Sequence, residues 1–144
     1  MTDQSAFSEE EWKTVRQGPT SAGVMVAMSE RGGSFRESFS MAKAYTEARK
    51  EHGASELLDT IATSKPDMGK LPKEPNELAE AALQHVSEAV ALVEAKATPE
   101  ETEEYKRFIL TLATRVAESH KGIGDKESAA LDRVAATLDI DRSA

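Results

Sequence analysis

The sequence predicts an all-α fold: a helical bundle of about seven helices forming a single domain over residues 1–144. Three observations predict it. The apolar residues are mainly Ala, Val, Leu and Met, while Trp12, Tyr45, Tyr105 and four Phe are the whole aromatic complement, poorer than a strand-rich core normally uses. These apolar residues recur at helical rather than alternating spacing. Finally, capping residues, Pro and Gly fall where such helices begin and end. A chain of this length can bury roughly two-thirds of its unfolded surface, so one core suffices.

The first six or seven residues read as a frayed, flexible tail. Ser8 with Glu11 three residues on is a capping-box pattern, opening a short helix through Trp12, Val15 and Gln17. Gly18 and Pro19 are read as its end, with Pro19 in the first turn of the next helix. That second helix carries Ala22, Val24, Met25, Val26, Ala27 and Met28, apolar on nearly every side, as suits a central and well-buried element. Arg31, Gly32 and Gly33 stop it. Ser34 and Glu37 repeat the capping-box pattern before a third helix through Phe35, Phe39 and Ala42, ending near Gly53, and a short fourth helix follows from Ser55.

Residues 65–75 hold Pro66, Gly69, Pro72 and Pro75, which exclude a regular helix or a central strand. This stretch is read as a loop between two halves of one bundle, each half being too short for a comfortable domain of its own. From Asn76 a long helix runs to about Lys96, with Leu78, Ala82, Val86, Ala89 and Val93 at helical spacing. Thr98, Pro99, Glu100 and Glu101 supply a cap, a first-turn Pro and first-turn acids for the next helix. Its stripe is Tyr105, Ile109, Leu112, Ala113 and Val116. Gly122 to Gly124 break it, and the last helix starts near Asp125 and carries Leu131, Val134, Ala135 and Leu138.

Composition excludes several functions. The 26 acidic residues outnumber the 18 basic ones, giving a formal net charge of −8, and no Lys/Arg cluster forms the stripe that tracks phosphates. Nucleic acid is therefore not an expected partner. The absence of Cys removes disulfides, thiolate metal sites and Cys nucleophiles. The N-terminal residues are polar and acidic without an apolar signal region, and no apolar run approaches the roughly 20 residues of a membrane span. The expected location is cytoplasmic, without membrane insertion.

One internal comparison is more specific. Val26-Ala-Met-Ser-Glu-Arg-Gly-Gly-Ser-Phe-Arg-Glu-Ser38 aligns without gaps on Val116-Ala-Glu-Ser-His-Lys-Gly-Ile-Gly-Asp-Lys-Glu-Ser128, with six of thirteen positions identical and two more exchanging Arg for Lys. Both copies occupy the turn from an apolar helix into an amphipathic one, which favours duplication over coincidence. The expected architecture has two pseudo-repeated helix–turn–helix units, with the long helix over residues 76–96 between or beside them.

This plan resembles the TerB-like family: an apolar helix, a small residue, a Gly-containing turn and a Glu opening the next helix, twice within one small chain. The stretch from Leu112 to Ala135 carries the resemblance furthest. The family is the helical one associated with bacterial tellurite resistance and related stress systems. The resemblance implies acidic metal ligands at the turns, and Glu37 and Glu127 match the family's glutamates. The chain departs from it where the family's turn usually reads Ala-Asp-Gly, because Arg31 and Lys121 stand in place of the Asp. A fixed cation there repels a divalent ion.

Metal binding is the sharpest ligand hypothesis, with Glu37, Glu127 and Asp125 as candidate ligands and Glu30 and Glu118 nearby, since hard ions need converging oxygens. No other cofactor is expected. The competing reading makes Glu37 and Glu127 first-turn residues favoured by capping and the helix dipole. His52, His85 and His120 form no His-x-x-x-His or Glu-x-x-His pattern, which argues against a zincin and a ferritin-like di-iron site. His85 lies at the margin of an apolar face, as a packed histidine would. Ser40-Met-Ala-Lys43 matches Ser-x-x-Lys but lacks the companion motifs of the penicillin-recognising enzymes. Gly69-Lys70 lacks the rest of a P-loop.

What the resemblance implies is a non-enzymatic stress or tellurite-response protein, a binding or adaptor module with a protein partner or self-association. The alternative from another class is a small enzyme whose catalytic groups are dispersed over several helices. A third is a purely structural, self-associating module.

Overall fold

The structure, a computed structural model, describes residues 4–31, 74–118 and 125–140. These form a short 3-10 helix, Gln4–Ala6, and four α-helices: α1 (Glu9–Arg31), α2 (Pro75–Lys96), α3 (Pro99–Glu118) and α4 (Asp125–Leu138). All-α architecture holds, and the described residues include no strand.

The expected count of about seven helices is overturned, because four α-helices account for the described residues. One reason lies at Gly18 and Pro19. They do not end a helix; α1 continues through both to Arg31. Taken locally, an interior Pro removes one helical hydrogen bond and crowds the preceding turn, at about 3 kcal/mol. Here the residues beyond it, Ala22, Val24, Met25 and Val26, are all buried, and their burial keeps the helix going. The helices expected from Ser34 and from Ser55, and all of the Pro-rich loop before Glu74, lie outside the described residues. So do the turns of the two matched segments, at residues 32–38 and 119–124.

Helices α1, α2 and α3 each begin where a side chain satisfies free N–H groups of the first turn. Ser8 and Glu11 form a reciprocal box at the start of α1: the Glu11 N–H donates to Ser8 Oγ at 3.1 Å and the Ser8 N–H to Glu11 Oε1 at 2.9 Å. Thr98 and Glu101 repeat the arrangement for α3, at 3.1 and 3.0 Å. Glu101 is buried there despite its charge. For α2 the cap is Glu74, whose carboxylate accepts from the Glu77 N–H at 2.8 Å, with Pro75 as the first helical residue. Helix α4 ends on Asp139 at φ 59°. The Asp139 N–H reaches the Ala136 carbonyl and the Ile140 N–H the Ala135 carbonyl, the Schellman pattern that closes helices through a left-handed residue.

Each helix packs against the other three, with α1 and α2 in the most extensive contact. Ala97 and Thr98 join α2 to α3, a connection short enough to make them neighbours. The enclosed centre is built from Val15 and Val26 of α1, Tyr105, Phe108, Ile109 and Leu112 of α3, and Leu131 and Leu138 of α4. Small residues of α2, Ala82 and Ala89, are equally enclosed and let α1 approach closely. The stripes expected on α2, α3 and α4 from sequence spacing are the buried ones wherever burial is described.

Candidate functional site

The polar groups that the fold brings together lie midway along α1, where Gly18, Pro19, Thr20 and Ser21 interrupt an otherwise apolar face. Pro19 has no N–H, so the carbonyl of Val15, four residues earlier, loses its helical donor. Tyr105 replaces it: its hydroxyl donates to the Val15 oxygen at 2.6 Å, and the whole side chain is buried. Gly18 makes room for this. A β-carbon there would lie 2.7 Å from the Tyr105 hydroxyl oxygen and 2.8 Å from the Ala89 β-carbon, closer than side chains pack.

One turn further on, Thr20 is enclosed and its hydroxyl donates to the Arg16 carbonyl at 3.3 Å, the usual way a helical Thr is satisfied internally. Ser21 is also enclosed, and its Oγ shares a 2.8 Å hydrogen bond with Nδ1 of His85 on α2. His85 is half-buried. Its contact with Ser21 ties α2 to α1.

A hydroxyl bonded to an imidazole is the pairing that activates serine nucleophiles, so its surroundings decide what it can do. Ser21 is 0% exposed and no substrate reaches its oxygen in this state. It also sits inside α1, where neighbouring backbone N–H groups belong to the helical ladder and cannot form an oxyanion hole. The pair serves as a polar tie across the α1–α2 interface. Tyr105 does the same across α1–α3.

The predicted metal ligands are placed differently. Glu37 lies outside the described residues. Asp125 is the first residue of α4 and Glu127 the third, where the backbone alone is described. Among the described residues, no three His, Asp or Glu side chains gather as metal ligands would.

No family model, curated protein or solved structure matches the chain.

A second polar assembly fastens the N-terminal segment, read from sequence as a frayed tail. Phe7 is buried against Trp12, with ring centroids 5.8 Å apart. Lys96, at the end of α2, donates to the Ala6 carbonyl at 3.2 Å and to Glu11 at 2.8 Å, and its ammonium lies 5.9 Å from the centre of the Phe7 ring. The Lys96 hydrogen bond, followed by the Ser8 backbone N–H, holds the Glu11 carboxyl below the usual glutamate range.

Spacing could have revealed part of this. A Pro inside a continuous apolar stretch implies an orphan carbonyl four residues back, and Tyr105 is the polar-tipped member of an otherwise apolar stripe. Nothing in the sequence pairs those two positions, 90 residues apart.

Proposed function

We propose that the chain is a cytoplasmic, non-enzymatic binding or adaptor module of the TerB-like kind, acting in bacterial stress or tellurite response. The observation that carries the non-enzymatic part is the commitment of Ser21, His85 and Tyr105 to helix–helix ties. Among the described residues, these side chains suited to chemistry are spent on holding α1 in place. What the molecule offers a partner is its exterior, where Glu77, Glu80, Glu88, Glu94, Glu100 and Glu103 are exposed. With a net charge of −8, the partner is a protein or a second copy rather than nucleic acid. No helix among the described residues is long and apolar enough to cross a membrane. The stress-response part rests on the resemblance of the two turn segments to TerB-like proteins.

The test is deletion of the gene in its source organism, followed by growth over a tellurite series and re-expression of the wild-type chain or Ser21→Ala. Lowered tolerance, restored equally by both chains, is expected. Unchanged tolerance on deletion overturns the stress reading. Failure of a folded Ser21→Ala chain to restore growth points instead to the enzyme alternative.

A further inference from the structure

We propose that residues 4–7 form a strap that opens as a unit while the four helices stay folded, uncovering Trp12, with Lys96 as its keeper. The geometry has a fixed base and a detachable end. Ser8 and Glu11 bind each other reciprocally at the start of α1, and the Trp12 N–H donates to the Ser8 carbonyl at 2.8 Å, so the helix is complete without anything preceding Ser8. The strap is seated by Phe7, whose ring covers the indole of Trp12. Each of those side chains is less than a tenth exposed.

Lys96 reaches across from α2 to join strap and base. One ammonium group binds the Ala6 carbonyl, the Glu11 carboxylate and the face of the Phe7 ring. The first and last of these contacts belong to the strap and the second to the base. Lys96 and Glu11 are each about one-third exposed, at 35% and 31%, so water competes for both and the hold is weak. Seating the strap gains the burial of one aromatic side chain and loses the freedom of a short backbone segment, two opposing terms. Segments held in this way open locally well below the free energy of global unfolding.

Opening removes Phe7 from Trp12 and leaves an indole at the surface beside the end of α2. An exposed aromatic anchor of that kind is typical of protein contact sites.

Trp12 is the sole Trp of the chain and reports directly. Acrylamide quenching of its fluorescence is to be measured in the full chain and in Lys96→Met, Phe7→Ala and the control Lys106→Met, with far-UV circular dichroism melts on each. Lys106 pairs instead with Glu94, at 3.7 Å. Quenching is expected to rise severalfold in Lys96→Met and Phe7→Ala, with helix content unchanged and Lys106→Met resembling wild type. Quenching unchanged in both strap variants overturns the proposal. So does a rise that accompanies loss of helix, or one of equal size in Lys106→Met.

Discussion

The Tyr105 hydroxyl donates to the carbonyl of Val15 at 2.6 Å, the oxygen that Pro19 deprives of its helical N–H. A backbone defect in α1 is thus repaired by a side chain of α3. The repair explains how a helix of 23 residues accommodates an interior Pro at its most buried point.

Tyr105→Phe removes the donor and leaves a buried carbonyl unsatisfied, a loss of about 1–3 kcal/mol. The cost should shrink in the Pro19→Ala background, where residue 19 regains an N–H for Val15. Urea denaturation of the wild type, both single variants and the double variant measures the coupling. Additive effects would show that the hydroxyl is not compensating for Pro19.

Gly18→Ala tests the close approach of α1 to its neighbours. On intrinsic helix propensity alone it should stabilise by about 1 kcal/mol. The added β-carbon meets both Tyr105 and Ala89 below 3 Å, and overpacking of this kind costs about 1–3 kcal/mol. Net destabilisation is expected, read as a lower urea midpoint. A raised midpoint would mean the three helices have room to spare.

Asp139 adopts φ 59° at the end of α4, a conformation that Gly reaches without the steric penalty of a β-carbon. Asp139→Gly should therefore stabilise the chain by about 1 kcal/mol, visible as a higher melting temperature. Asp139→Val should lower it, because branching at Cβ makes the left-handed region costlier still.

Glu11 gives a pH dependence of known sign. Its carboxyl is held below the usual range in the folded state, first by Lys96 and then by Ser8. The stabilisation is present above the carboxyl's unfolded value and fades as pH falls through its folded one. In Lys96→Met, the Glu11 titration should move upward toward the ordinary range and the acid-side loss of stability should flatten. Carboxyl NMR titration of both proteins checks this.

Glu127→Ala separates the two readings of the turn glutamates. On the first-turn reading, Glu127 should contribute a few tenths of a kcal/mol up to about 1 kcal/mol through the helix dipole. Added Ca²⁺ or Mg²⁺ should then leave the melts of wild type and variant unshifted relative to chelator. A metal-dependent rise in the wild-type melting temperature that the variant lacks would establish a metal site by linkage.

Local pattern alone determined the all-α class, the box at Ser8, the cap at Thr98 and the buried stripes of α2, α3 and α4. Capping and amphipathic spacing act within a few residues, so adjacent sequence records them. Local pattern also marked a break at Gly18 and Pro19, because an isolated helix there has a bare carbonyl at Val15 and no β-carbon at Gly18. Only tertiary structure reversed that, by bringing the Tyr105 hydroxyl to the carbonyl and Ala89 to the glycine. The same holds for Ser21 with His85, 64 residues apart, and for the seat that Lys96 makes for Phe7. Such pairings depend on which helices lie side by side, and helix spacing shows which face is buried without showing what buries it.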